Sequence, residues 1–131
     1  MTEKYYGTKL IEAWESEKDG ESGYGVIYED GYQSWSPKMV FEKAYQPLTA
    51  MSFGHTIEAL RAGYRVCRRG WNGKGMYLEL QIPDEHSKME RPYIYINPGK
   101  GWMVPWVASQ PDMLANDWMI FHEATREGTS A

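Results

Sequence analysis

From Met76 to Ile82 the chain alternates, with Met76, Leu78, Leu80 and Ile82 on one side and Tyr77, Glu79 and Gln81 on the other. A period of two is that of a half-buried antiparallel strand. The side carrying Tyr77 and Glu79 is then wet, or covered by a neighbouring subunit. Upstream, Phe53, Ile57 and Leu60 recur at helical spacing behind Ser52, an N-cap residue, and Gly63 stops the helix. His55 and Glu58 lie off that stripe and read as solvated. Residues 93–97 alternate again, with Ile94 and Ile96 inward, and residues 98–101 turn the chain into 102–106. Pro105 cannot donate to a ladder, so it marks a sheet edge or a strand end. Ser109, Gln110, Pro111 and Asp112 resemble a capping box with Asp in place of Glu, opening a short helix through Asn116. Residues 118–122 form a last strand, and the small polar residues 124–131 fray.

The first part of the chain has its own pattern. Residues 9–14 read as a short strand and 15–22 as a polar loop. Asp30-Gly31 signals a type I′ hairpin between residues 24–29 and 32–35. Ser36 as N-cap and Pro37 as first helical residue then start a helix whose apolar stripe is Val40, Phe41 and Ala44. A hairpin and one helix are too small to stand alone, so this module is expected to dock on the rest, with residues 47–50 as the joint. The expected fold is α+β: an antiparallel sheet of four to five strands with one packed helix, plus a small N-terminal hairpin-helix module. Residues 1–48 are the extension, 49–123 the α+β core and 124–131 the tail.

Composition narrows the function. The chain has 131 residues, a net charge of -4, and six Trp and ten Tyr against three Phe. Aromatics with a polar tip serve half-wet surfaces, pockets and interfaces. The acidic balance argues against coating a nucleic-acid polymer, but not against a small anion held by local cations. Cys67, the single cysteine, excludes an intramolecular disulfide and reads as a small buried hydrophobe. No apolar run reaches spanning length and the N-terminus lacks a signal-peptide core, so a cytoplasmic protein without membrane contact is expected.

The chemistry concentrates in residues 65–76, a strand, a glycine turn and the start of a second strand. Asn72-Gly73 is a turn signal, Gly70 and Gly75 let backbone approach a ligand, and Trp71 offers a face for stacking. The forks of Arg68 and Arg69 and the ammonium of Lys74 suit phosphate oxygens. The plain alternative is a surface hairpin whose Trp packs on its own domain. Catalytic patterns are weak: three scattered histidines, one strand-borne cysteine, and a glycine loop that is not GxxxxGK[ST] and leads to a strand. No metal site, cofactor or catalytic residue is assigned. Binding of a nucleotide-like molecule is the better class, and Asp112 and Ser109 are candidates to touch it.

Two runs carry a resemblance. One extends from Met51-Ser52-Phe53-Gly54 through Ala59–Gly63 to Val66-Cys67-Arg68-Arg69-Gly70-Trp71-Asn72-Gly73-Lys74-Gly75-Met76. The other is Pro105-Trp106-Val107-Ala108-Ser109-Gln110-Pro111-Asp112-Met113-Leu114-Ala115-Asn116-Asp117-Trp118. Over residues 51–121 the chain resembles the phage Thoeris anti-defence family of the second type, and residues 28–38 are similar to an N-terminal extension on some members. That resemblance implies a sponge. It would bind a cyclic ADP-ribose isomer (glycocyclic ADP-ribose), and cyclic di- or trinucleotides in separate pockets, without cleaving them. It implies a homo-oligomer, a tetramer with pockets between subunits, in the cytoplasm of the infected bacterial host. Carried over by motif, Trp71 and Trp106 would contact rings, Asn72 and Asp112 ribose or base edges, and Arg68, Arg69 and Lys74 phosphates. Rival readings are a phosphodiesterase-like enzyme on cyclic nucleotides and a phage nucleic-acid-binding or structural accessory protein.

Overall fold

The computed structural model of the chain describes residues 1–71 and 74–122. It divides into two compact units, residues 1–46 and 47–131. The first is a three-stranded antiparallel meander, β1 (Glu12–Lys18), β2 (Glu21–Ile27) and β3 (Gln33–Pro37), followed by helix α1 (Lys38–Ala44). The expected polar loop over 15–22 is therefore wrong. Asp19 and Gly20 take φ of 52° and 80° and join β1 to β2 in a two-residue hairpin, with Lys18 opposite Glu21. Positive φ at both central residues matches the right-handed twist of the strands. The Asp30-Gly31 loop differs from expectation too. Of its two residues only Gly31 is left-handed, and its N–H bonds the Tyr28 carbonyl, a turn closed by a glycine bulge. Ser36 is not the cap of α1: Pro37 occupies the N-cap position and no side chain caps the helix.

Two tryptophans lie flat on this sheet. Trp14 pairs with Gly25, which pairs in turn with Trp35. A Cβ at Gly25 would stand 2.4 Å from the Trp14 ring, and one at Gly23 2.4 Å from the Trp35 ring. The glycines thus form a floor that side chains would lift the rings from. On the other side Phe41 of α1 stacks on Tyr24 at 4.0 Å between centroids.

The second unit is a five-stranded antiparallel sheet in the order β7-β6-β5-β4-β8. Its strands are β4 (Val66–Arg68), β5 (Tyr77–Gln81), β6 (Tyr93–Asn97), β7 (Val104–Pro105) and β8 (Trp118–Ile120), with helices α2 (Phe53–Arg61) and α3 (Gln110–Met113). This is the α+β architecture expected. The core holds Met51, Ala59, Leu60, Val66, Leu78, Trp118 and Ile120, with Leu80, Ile94 and Ile96 packed on it. Helix α2 buries Thr56, Ala59 and Leu60; of the expected stripe Leu60 lies in the core and Phe53 and Ile57 are half-buried against it. The buried Thr56 hydroxyl donates to the Ser52 carbonyl at 2.8 Å, which satisfies it inside the helix.

The reverse side of β5 is not simply wet. Tyr77 is 5% exposed and packs with Cys67 and Phe121. The Arg65 guanidinium lies 4.5 Å over the Tyr77 ring, and Glu79 accepts from Arg65 and the Tyr95 hydroxyl. Burial, then the bond to Glu79, pushes the Tyr95 hydroxyl above its ordinary pKa. Cys67 sits as expected for a buried hydrophobe, and burial raises its thiol pKa.

Candidate functional site

Pairing of β4 with β8 sets Arg68 opposite Trp118, on the core side of the sheet beside the short helix α3. There the two signature runs meet. Arg68 is clamped by two carboxylates: Nη1 donates to Asp112 Oδ1 at 2.7 Å and Nε to Asp117 Oδ1 at 2.8 Å. Trp71 Nε1 donates to the same Asp112 oxygen at 3.2 Å. Asp117 also accepts from the Gly70 backbone N–H at 2.8 Å, and a Cβ at Gly70 would stand 2.9 Å from it. Ser109 caps α3, its hydroxyl accepting from the Asp112 N–H at 3.2 Å. Four of the residues singled out from sequence, Arg68, Trp71, Ser109 and Asp112, therefore form one bonded group.

The charges are mutually stabilised. Hydrogen bonds to Asp117 and Asp112 raise the Arg68 pKa against the effect of burial. At Asp112 partial burial pushes the pKa up, but bonds with Arg68, Trp71 and Ser109 outweigh it and hold the carboxyl below the ordinary range. Asp117 is lowered chiefly by its bond from Arg68, with the Gly70 N–H adding to it.

Around this pair sits an aromatic cluster. Trp118 is fully buried, and Trp71 and Trp106 each meet it edge to face, at 5.4 and 6.1 Å between centroids. Phe53 fills the gap at 5.4 Å from Trp118 and 5.8 Å from Trp106. Trp71 and Trp106 are half-buried, each with an edge in the core and part of its surface open. Arg69 is exposed and donates from Nη2 to the Thr49 carbonyl at 3.0 Å. Lys74 is exposed, and its carbonyl is where a Cβ at Gly99 would collide, at 2.5 Å. Asn72 lies outside the described residues. Asp117 and Trp118 stand in the second signature run but were not assigned to the site; the β4–β8 register is what brings them to Arg68.

Among the described residues no group of three or more His, Cys, Asp or Glu side chains could hold a metal, and no helix is long and apolar enough to cross a membrane. The sequence signature of the Tad2-like family, the Thoeris anti-defense 2-like domain, matches residues 51–121. The chain is also similar to Thoeris anti-defense 2 of Bacillus phage SP01, at 38% identity over 85 residues, covering 55% of this chain and 96% of that protein. Both signature runs fall inside the match and supply the Arg68–Asp112–Trp71 group: the chain belongs to the Thoeris anti-defense 2-like family.

Proposed function

We propose that the chain is a phage anti-defence protein that sequesters glycocyclic ADP-ribose, a cyclic ADP-ribose isomer, without cleaving it, and so keeps the Thoeris effector off. The anti-Thoeris part follows from family membership. The observation that best supports the sponge is the convergence of both signature runs on half-buried indoles beside fixed charges. Trp71 and Trp106 stack on ligand rings, with Asp112, Ser109 and Asn72 meeting ribose or base edges. Arg69 and Lys74, exposed at the turn, meet phosphate oxygens. Arg68, already held by two carboxylates, acts mainly as a positioning residue: it fixes Asp112, and Asp112 fixes the Trp71 indole. Each stacked base contributes roughly 1–3 kcal/mol and each charge-assisted bond about 1.5–3 kcal/mol.

The sponge works as a homo-oligomer, a tetramer, in the cytoplasm of the infected host, with cyclic di- or trinucleotides as further ligands. Exposed apolar side chains on and beside the edge strand β7 support assembly: Trp102, Met103, Val104 and Val107 are 88%, 60%, 49% and 87% exposed. Apolar surface gathered at a sheet edge invites a second copy. The test is depletion of glycocyclic ADP-ribose by purified protein, followed by heat denaturation. Release of the intact messenger is expected. Recovery of hydrolysed product alone would replace the sponge with a phosphodiesterase.

A further inference from the structure

The N-terminal unit lies outside the family match and has a cleft of its own, of about 590 Å³, lined by Lys9, Leu10, Tyr28, Glu29, Asp30 and Tyr32. Tyr28 and Tyr32 stack across the β2–β3 loop at 5.8 Å between centroids, and Tyr32 is 65% exposed. A cation already sits on one of these rings: the Lys9 ammonium stands 4.5 Å over Tyr28. Lys9 belongs to residues 1–11, which form no helix or strand, so it can leave the ring without breaking a ladder. The charge of the chain is also segregated. Residues 1–46 hold five lysines, no arginine and nine acidic side chains, which accounts for the whole formal charge of -4. The rest of the chain is balanced. Aromatic faces flanked by carboxylates are the chemistry that takes up a guanidinium or ammonium group.

We propose that this cleft docks a basic peptide segment of a partner protein, one arginine or lysine of which replaces Lys9 over Tyr28 between Glu29 and Asp30. Lys9 is the internal stand-in for that side chain. The unit is then a second, protein-directed module, independent of messenger binding by residues 47–131.

The test is fluorescence anisotropy on the full chain, with a labelled peptide of alternating arginine and serine and its citrulline counterpart, isosteric and neutral. The arginine peptide is expected to bind at least tenfold more tightly than the citrulline one. Lys9→Met is expected to tighten arginine-peptide binding by about two- to fivefold, the competition of one exposed cation–π contact. Glu29→Gln and Tyr28→Leu are each expected to weaken it, with near-UV circular dichroism checking the fold. Equal affinity for the two peptides would overturn the proposal, as would Lys9→Met binding no better than the parent. So would arginine methyl ester competing as strongly as the peptide, which would make the cleft a small-cation site.

Discussion

Arg68 shows how little a residue's type says about its use. A guanidinium beside a glycine turn reads as a phosphate ligand, but two carboxylates from the α3 and β8 ends hold it. Arg68→Met leaves both carboxylates partly buried, at 17% and 30% side-chain exposure, without their cation. Fully buried pairs lose 3–5 kcal/mol on such a change; with this exposure about 1–3 kcal/mol is expected, read by urea denaturation. The pH dependence has a definite sign. Asp112 and Asp117 have folded pKa values below their ordinary 3.8, so the stability they add is complete above that pH and is lost as pH falls through the folded values. The parent is expected to lose stability steeply below about pH 4, and Arg68→Met to start lower and fall less, in melting curves between pH 6 and 2. Trp71→Ala is expected to weaken messenger binding at least tenfold, about 1.4 kcal/mol. Unchanged affinity in titration calorimetry would remove Trp71 from the site. Trp71, Arg68, Ser109 and Asp112 were visible in the sequence as types within signatures. Asp117 stands in the same run, but its bond to Arg68 was not legible, since only strand pairing brings the two together.

At the scale of elements, alternation located β5 and β6, and helical spacing located α2, because Leu78, Leu80, Ile94, Ile96 and Leu60 all face the same core. The same reasoning failed on β1. Its residues are almost all exposed, so no apolar period marks it, and the Asp19-Gly20 turn was its real signal. Tyr77 was expected outward and lies in a second small cluster, since Phe121 from β8's end folds under it at 4.8 Å between centroids. The turn of the candidate site depends on a close approach. Gly99 has φ of +82° and a Cβ there would collide with the Lys74 carbonyl. Gly99→Ala is therefore expected to destabilise the second unit by about 1–3 kcal/mol and to disturb the neighbouring glycine loop, so that melting temperature and messenger affinity fall together. Ser109→Ala removes a cap and is expected to cost about 1 kcal/mol.

For the whole molecule, the two units make separate demands. The relative from phage SP01 consists almost wholly of the matched region, so residues 47–131 are expected to fold and bind messenger alone. Glycocyclic ADP-ribose at a hundredfold excess over its Kd should then stabilise that fragment and the full chain alike, by about 2.7 kcal/mol. A fragment that stays unfolded, or folds without binding, would tie the site to the first unit. Assembly is expected to depend on the exposed edge: Val107→Glu should shift sedimentation toward monomer without lowering the melting temperature of the isolated subunit.

The sequence by itself determined the local facts: which segments alternate, where glycine turns fall, and that both signatures carry indoles and charges at fixed spacing. These follow from side-chain period and backbone freedom, which are properties of neighbours along the chain. Tertiary structure alone decided that Arg68 is neutralised by Asp112 and Asp117, that Trp71 and Trp106 share Trp118 as a floor, and that Lys9 rests on Tyr28. Each of those depends on strand register or loop closure, and a charge's partner is set by distance in space, which sequence separation does not contain.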